Sequence, residues 1–204
     1  MKLAVISDLH GNYYALAKVL AFLRSQEIDG IIGLGDFVTD GPFPQRMMRV
    51  LREMQEEFPC YLVRGNREEY LLENLDAAIL LGGHSHKQEQ REYAGKTYLN
   101  PGSLGLALDG VGGHAHFAIL TLENSTWQIE CFQIPYDLEG YLAEFDRAGL
   151  ETHGSVLARS LKRTLTCGVN YFYLTVKRVR ELADALALTD LDEEVWKKAE
   201  QELK

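Results

Sequence analysis

Four groups of residues able to ligate metal ions stand in order along the first half of the chain: Asp8 with His10, then Asp36, then Asn66, then His84 with His86. A carboxylate and an imidazole, a second carboxylate, an amide and paired imidazoles combine hard oxygen with borderline nitrogen donors. That set suits Mn²⁺, Fe, Zn²⁺ or Ni²⁺. Each group closes a run that reads as a buried strand, so one sheet edge can collect them all. The chemistry such a collection supports is hydrolysis of a phosphate ester at a two-metal centre.

Spacing supports the grouping. Asp8 and His10 are two residues apart at a strand end, where a local turn can aim both at one ion, and Gly11 removes the side chain that would crowd that turn. Asp36 follows a parallel strand that places it beside Asp8, and one carboxylate can bridge two ions roughly 3.5–4 Å apart. Asn66 offers a neutral carbonyl oxygen to the second ion. His84 and His86 share a face if extended, and split between two ions if the segment is a loop.

The elements that must position these residues follow from hydrophobic periodicity. LAVIS (3–7), GIIGLG (30–35) and the run 60–63 are short apolar stretches of the kind buried on both faces of a parallel sheet. Between them, 13–25 and 44–58 carry apolar stripes at helical spacing: Leu16, Val19, Leu20 and Leu23 in one, Met47, Val50, Leu51 and Met54 in the other. Alternating strands and helices imply βαβ units whose ligand sites lie beyond the carboxyl ends of the strands. The segment 67–82 has room for a short crossover helix over 68–75 and a strand over 77–81. From Gly83 onward, strands over 96–99, 116–122 and 127–134 with Gly- and Asn-rich connections predict a second, more antiparallel sheet. Helical signals then cover 137–148, 154–165, 171–188 and 190–203, the last with Asp190 or Asp192 as N-cap.

The expected fold is therefore α/β, with two stacked mixed β-sheets flanked by helices over 1–136 and a helical C-terminal extension over 137–204 packed on it. A hydrophobic content of 46% and a charged content of 25% fit a globular protein. The net charge of −9 disfavours nucleic acid as a partner, because affinity for a phosphate backbone comes from Lys and Arg. No apolar run approaches ~18 residues, so no membrane partner is expected, and a cytoplasmic location is. Cys60, Cys131 and Cys167 lack CxxC spacing and read as reduced structural thiols.

Five ordered motifs, ISDLHGN (6–12), GLGDFVTDGPFP (33–44), VRGN (63–66), GGHSH (82–86) and NPGSLG (100–105), resemble those of the calcineurin-like metallophosphoesterase superfamily, in its small bacterial and archaeal phosphodiesterase branch. The resemblance covers roughly 1–136 and implies an α/β/β/α sandwich. It further implies that Asp8, His10, Asp36 and His86 hold metal one, and that Asp36, Asn66 and His84 hold metal two. Asp36, Asn66 and Arg67 would line the reacting centre, where a metal-bridging hydroxide attacks phosphorus. Mn²⁺ is the expected ion and a small phosphorylated molecule or phosphodiester the expected substrate.

Two departures qualify the resemblance. Relatives place a further strand and a Gly-His-Gly loop between the Gly-Asn and Gly-His-x-His motifs, and its His ligates metal two; here 67–82 contains no histidine. A weaker second site follows, with water, Glu68 or Glu69 in the vacant position. Arg67 stands where many relatives have a His that protonates the leaving group. Arg keeps its proton above pH ~12 and cannot act as that acid, but it can clamp a phosphate oxygen. The alternative reading is a catalytically weakened relative serving as an interaction scaffold. Among the remaining polar residues, Asn12 and Asn100 are expected to fix site loops. His114 and His116 read as hairpin-end histidines, with substrate contact the minor alternative, and His153 as a solvated loop residue. Tyr171, Phe172 and Tyr173 read as core or as a homo-oligomer contact made through the helical extension.

Overall fold

The computed structural model of the protein describes residues 1–38, 41–62, 79–93, 95–150, 156–186, 188–190 and 192–203. Among the described residues fourteen elements are arranged as two stacked mixed sheets with six helices. The first sheet contains β1 (Lys2–Ile6), β2 (Gly30–Gly33), β3 (Cys60–Leu62), β7 (His114–Glu123) and β8 (Thr126–Pro135), in the order β3-β2-β1-β7-β8. β1, β2 and β3 are parallel, whereas β7 pairs antiparallel with both β1 and β8. The second sheet has the order β4-β6-β5, from β4 (Ile79–Leu81), β5 (Gln88–Tyr93) and β6 (Lys96–Pro101).

Both faces of the central strands of the first sheet, β1, β2 and β7, are buried, which accounts for their uninterrupted apolar runs. Ala4, Ile6, Ile31, Phe117 and Ile119 pack under α1 (Tyr13–Leu23) and α2 (Pro44–Glu57), against Leu16, Leu20, Met47 and Met54. The opposite face presents Val5, Ala118 and Leu120 to Leu99, Ile79 and Leu81 of the second sheet. Asn12 caps α1, its Oδ1 accepting from the Ala15 amide at 3.0 Å, and Pro44 opens α2 at a position where its missing N–H costs nothing. β7 and β8 are joined by a two-residue turn in which Asn124 and Ser125 have φ of 48° and 63°, the left-handed pair that a tight hairpin requires.

The topology gathers the strand ends. β1 and β2 run in register from Leu3↔Gly30 to Ile6↔Gly33 and deliver Asp8 and Asp36 to one edge. β4 and β6 are likewise parallel and lead into 82–86 and 102–106. The crossover expected over 68–75 lies outside the described residues, as do Val63 and the first two residues of the strand expected over 77–81.

Four helices follow: α3 (Leu138–Arg147), α4 (Val156–Cys167), α5 (Tyr171–Leu186) and α6 (Glu193–Glu202). Tyr141, Phe145 and Leu165 bury themselves against Leu106 and Tyr14, which seats the first two on the sandwich. Val179, Leu182, Val195 and Ala199 join α5 to α6. Glu144, 1% exposed, ties α3 to α2: its Oε2 accepts from Arg46 Nη1 at 2.6 Å, and Oε1 takes a bond from Arg147. Asp192 is the N-cap of α6 but caps no amide. Its carboxylate turns back to the Thr189 amide and hydroxyl at 2.8 and 3.0 Å. β5 is an addition to the strands read from sequence.

Candidate metal centre

The turn after β1 is built from unusual backbone. Asp8, His10, Asp36, His84 and His86 all have φ between 46° and 68°, in the left-handed region. For a residue with a Cβ that conformation costs roughly 1–2 kcal/mol, and it persists only where surrounding structure over-determines it. Every candidate ligand among the described residues is therefore held in a strained conformation.

The over-determination comes from a mesh of hydrogen bonds. The amides of His10 and Gly11 donate to the carbonyls of Asp36 and Phe37 at 2.8 and 3.0 Å, joining the loops after β1 and β2. Ser103 Oγ donates to the Asp8 carbonyl at 2.6 Å and itself accepts from the Leu106 amide. Asn100 Nδ2 donates to the Gly83 carbonyl and Ser85 Oγ, each at 2.9 Å, holding the loop that carries both histidines. Asn12 Nδ2 reaches the Gly105 carbonyl at 3.2 Å. Asn12 and Asn100 thus fix the site loops, as their positions in the sequence suggested.

Three candidate ligands converge. His10 Nε2 stands 3.1 Å from His86 Nε2, and His86 Nε2 stands 3.3 Å from Asp8 Oδ1. The ligand atoms of Asp8, His10 and His86 all lie within 4.8 Å of one another. Asp8 and His86 are buried and His10 half-buried. His86 Nδ1 lies 2.8 Å from the Leu106 carbonyl oxygen. A carbonyl only accepts, so Nδ1 carries the proton and Nε2 points its lone pair at Asp8 and His10. This is the orientation a second-shell carbonyl gives to a ligating histidine.

The donor set fits a divalent cation. Nitrogen and oxygen ligands bound at about 2.0–2.2 Å with angles of 90–109° lie about 3.0–3.5 Å apart. The two close separations at His86 fall in that range. A proton on His86 would satisfy the same atoms. Burial pushes the Asp8 carboxyl up, but the hydrogen bond and charge of His86, with bonds from Ser7 Oγ at 2.6 Å and the His84 amide, outweigh it and hold Asp8 below the usual carboxylate range. Burial likewise pulls His86 down, and the bond and charge of Asp8, then the Leu106 carbonyl, raise it above the ordinary imidazole value.

Asp36 and His84 stand outside this tight group. Both are exposed and line, with His10 and His86, a cavity of about 500 Å³. The other side of the cavity comes from the helical extension: Leu161 of α4, and Asn170, Phe172, Tyr173 and Val176 at the start of α5. Phe172 and Tyr173, read from sequence as core or a homo-oligomer contact, face this cavity. Tyr171 instead lies under the Arg163 guanidinium at 3.7 Å from the ring centre. Sequence reasoning missed the Leu106 carbonyl, which acts through backbone and carries no side-chain signal. Asn66, Arg67, Glu68, Glu69 and His153 lie outside the described residues. His114 and His116 line no part of this cavity, and His116 is buried 3.1 Å from Asp109 Oδ2. Cys60, Cys131 and Cys167 are free thiols, and no described helix is long and apolar enough to cross a membrane.

Comparison with known proteins agrees with the motifs. Residues 1–102 match the profile of calcineurin-like phosphoesterases. The fold is similar to that of a metallophosphoesterase from Sphaerobacter thermophilus, with 20% identity, 83% of this chain and 100% of that one covered, and a TM-score of 0.63. It is equally similar to a hypothetical protein from Pyrococcus horikoshii, with 16% identity, coverage of 82% and 98%, and a TM-score of 0.63. No curated protein sequence matches the chain.

Proposed function

The chain belongs to the calcineurin-like phosphoesterase family, and on that premise we propose that it is a divalent-metal-dependent hydrolase of phosphodiesters or small phosphorylated metabolites. The observation that carries this reading is the convergence of Asp8, His10 and His86 on one point at the wall of a cavity that Asp36 and His84 also line. Asp8 and His86 are buried there, and a divalent cation or a proton shared with His10 offsets the cost of burying them together.

Asp8, His10, Asp36 and His86 would hold one ion, and Asp36, Asn66 and His84 a second, weaker one. Bound there, divalent cations supply Lewis acidity toward a phosphoryl oxygen and lower the pKa of the attacking water. Mn²⁺ is the ion we assign, with Fe, Zn²⁺ and Ni²⁺ compatible with the same donors.

The chain's own residues do the positioning. Leu106 fixes the His86 tautomer, while Ser7 and the His84 amide orient both Asp8 oxygens. The strained loops keep these groups in place before any ligand arrives, so little ordering remains to be done on binding. Arg67 is assigned to clamping a phosphoryl oxygen rather than to protonating the leaving group, which favours esters of acidic alcohols.

Hydrolysis of bis(p-nitrophenyl) phosphate by chelator-treated protein, measured before and after Mn²⁺ is added back, tests the reading. Restored turnover is expected. Absence of turnover across Mn²⁺, Fe, Zn²⁺ and Ni²⁺ would favour the scaffold alternative.

A further inference from the structure

The cavity at the candidate metal centre has two chemically distinct halves. Its charged and imidazole side chains, His10, Asp36, His84 and His86, are all candidate ligands and lie on one side. The remaining lining is Leu106, Leu108, Leu161, Phe172, Tyr173 and Val176, with Ser85 and Asn170 as the other polar members. Asn170 is already engaged, its Oδ1 accepting from the Tyr173 amide at 2.9 Å. A phosphoryl group at the ligands would fill only a small part of about 500 Å³, a volume typical of sites that enclose a whole small molecule.

The apolar half is locked in register with the ligands. His86 Nδ1 donates to the Leu106 carbonyl, and the Leu108 amide donates to the His86 carbonyl at 3.1 Å. Capping by Asn170 fixes the first turn of α5, which brings Phe172, Tyr173 and Val176 to neighbouring positions on one face. Ser160 of α4 and Thr175 of α5 share a hydrogen bond of 2.8 Å, so the two helices present that face as a unit. Yet Phe172 remains 36% and Tyr173 59% exposed. These are large aromatic surfaces left uncovered beside a polar centre.

We propose that α4 and α5 form the ester-group subsite of the enzyme, and that its substrate carries an apolar, ring-sized group on the phosphate that packs against Leu161, Phe172 and Tyr173. This rests on the hydrolase reading above and adds the substrate class. The phosphoryl oxygens face the ligands; the ring lies along the helical wall. No charged side chain of the described lining meets it there, and apart from Asn170 and the Tyr173 hydroxyl the wall offers apolar contact.

Phenylphosphonate and methylphosphonate share a headgroup and differ only in the part that would reach the wall. Their affinities for the Mn²⁺-loaded protein, measured by calorimetry and as inhibition of bis(p-nitrophenyl) phosphate hydrolysis, give the test. Phenylphosphonate should bind at least about tenfold more tightly. Phe172→Ala and Tyr173→Ala should each weaken phenylphosphonate several-fold more than methylphosphonate. If the two bind equally to the wild-type protein, the subsite is refuted while hydrolysis stands. If neither phosphonate binds and no ester is hydrolysed with any of the four metals, the hydrolase reading itself fails. The wild-type ratio decides the question even if a variant does not fold.

Discussion

Nε2 of His10 lies 3.1 Å from Nε2 of His86, although 76 residues separate the two in the chain. In neutral His86, Nε2 is a bare lone pair, because Nδ1–H donates its hydrogen bond to the Leu106 carbonyl. The Asp8 carboxylate closes the triangle. A proton or a divalent cation can sit between these three groups, and the two compete for the place.

That competition gives a pH dependence. In metal-free protein Asp8 is held below its ordinary value of 3.8, so its contribution to stability is present above that value and lost as pH falls through the lowered one. His86 is raised above 6.5, so its contribution is complete below 6.5 and lost as pH rises through the raised value. Chelated protein should therefore melt at a higher temperature near about pH 5.5 than near about pH 8.5. Mn²⁺ should reverse that order, because binding displaces the His86 proton and tightens as pH rises. Parallel melting curves with and without Mn²⁺ at both values would contradict the assignment.

Asp36→Asn should abolish Mn²⁺-stimulated phosphodiester hydrolysis. Asp36 is exposed and its side chain supports no part of the core, so stability should change by no more than about 0.5 kcal/mol. Turnover within tenfold of wild type would refute a bridging role.

Gly105 sits where the loop after β6 crosses the turn after β1. A Cβ there would stand 1.8 Å from the Leu9 carbonyl oxygen. Gly105→Ala must push this loop away from the Asp8–His10 turn, at a cost of about 1–3 kcal/mol or more, and should weaken Mn²⁺ binding in the protein that still folds. Denaturant unfolding and metal titration report the two effects separately.

Glu144 joins the helical extension to the sandwich from a nearly fully buried position, with Arg46 on one side and Arg147 on the other. Glu144→Ala should cost about 1–3 kcal/mol, which for a chain of this size lowers the melting temperature by roughly 2–4 °C per kcal/mol. An unchanged melting temperature would show that the pair contributes nothing to docking.

Much of this was legible in the sequence because buried parallel strands are written as continuous apolar runs, and the polar residues that end them stand out. The two sheets, the helical extension and the meeting of Asp8, His10 and His86 follow from that signal. β5 was not legible: QEQREY has no apolar alternation, and it pairs with β6 alone within its sheet. The left-handed backbone at Asp8, His10, Asp36, His84 and His86 was equally hidden, since the neighbouring Gly11, Gly35 and Gly83 only hint at such turns and few non-glycine residues adopt it, even though Asp and His do so more than most. Phe172 and Tyr173 could be seen as aromatic, but which way α5 turns them depends on its packing with α4 and on the Asn170 cap.

Anomalous diffraction from crystals grown with Mn²⁺ tests the central claim most directly. A peak is predicted within bonding distance of His10 Nε2, His86 Nε2 and a carboxylate oxygen of Asp8. Catalytically active crystals with no peak at these three atoms would contradict the account.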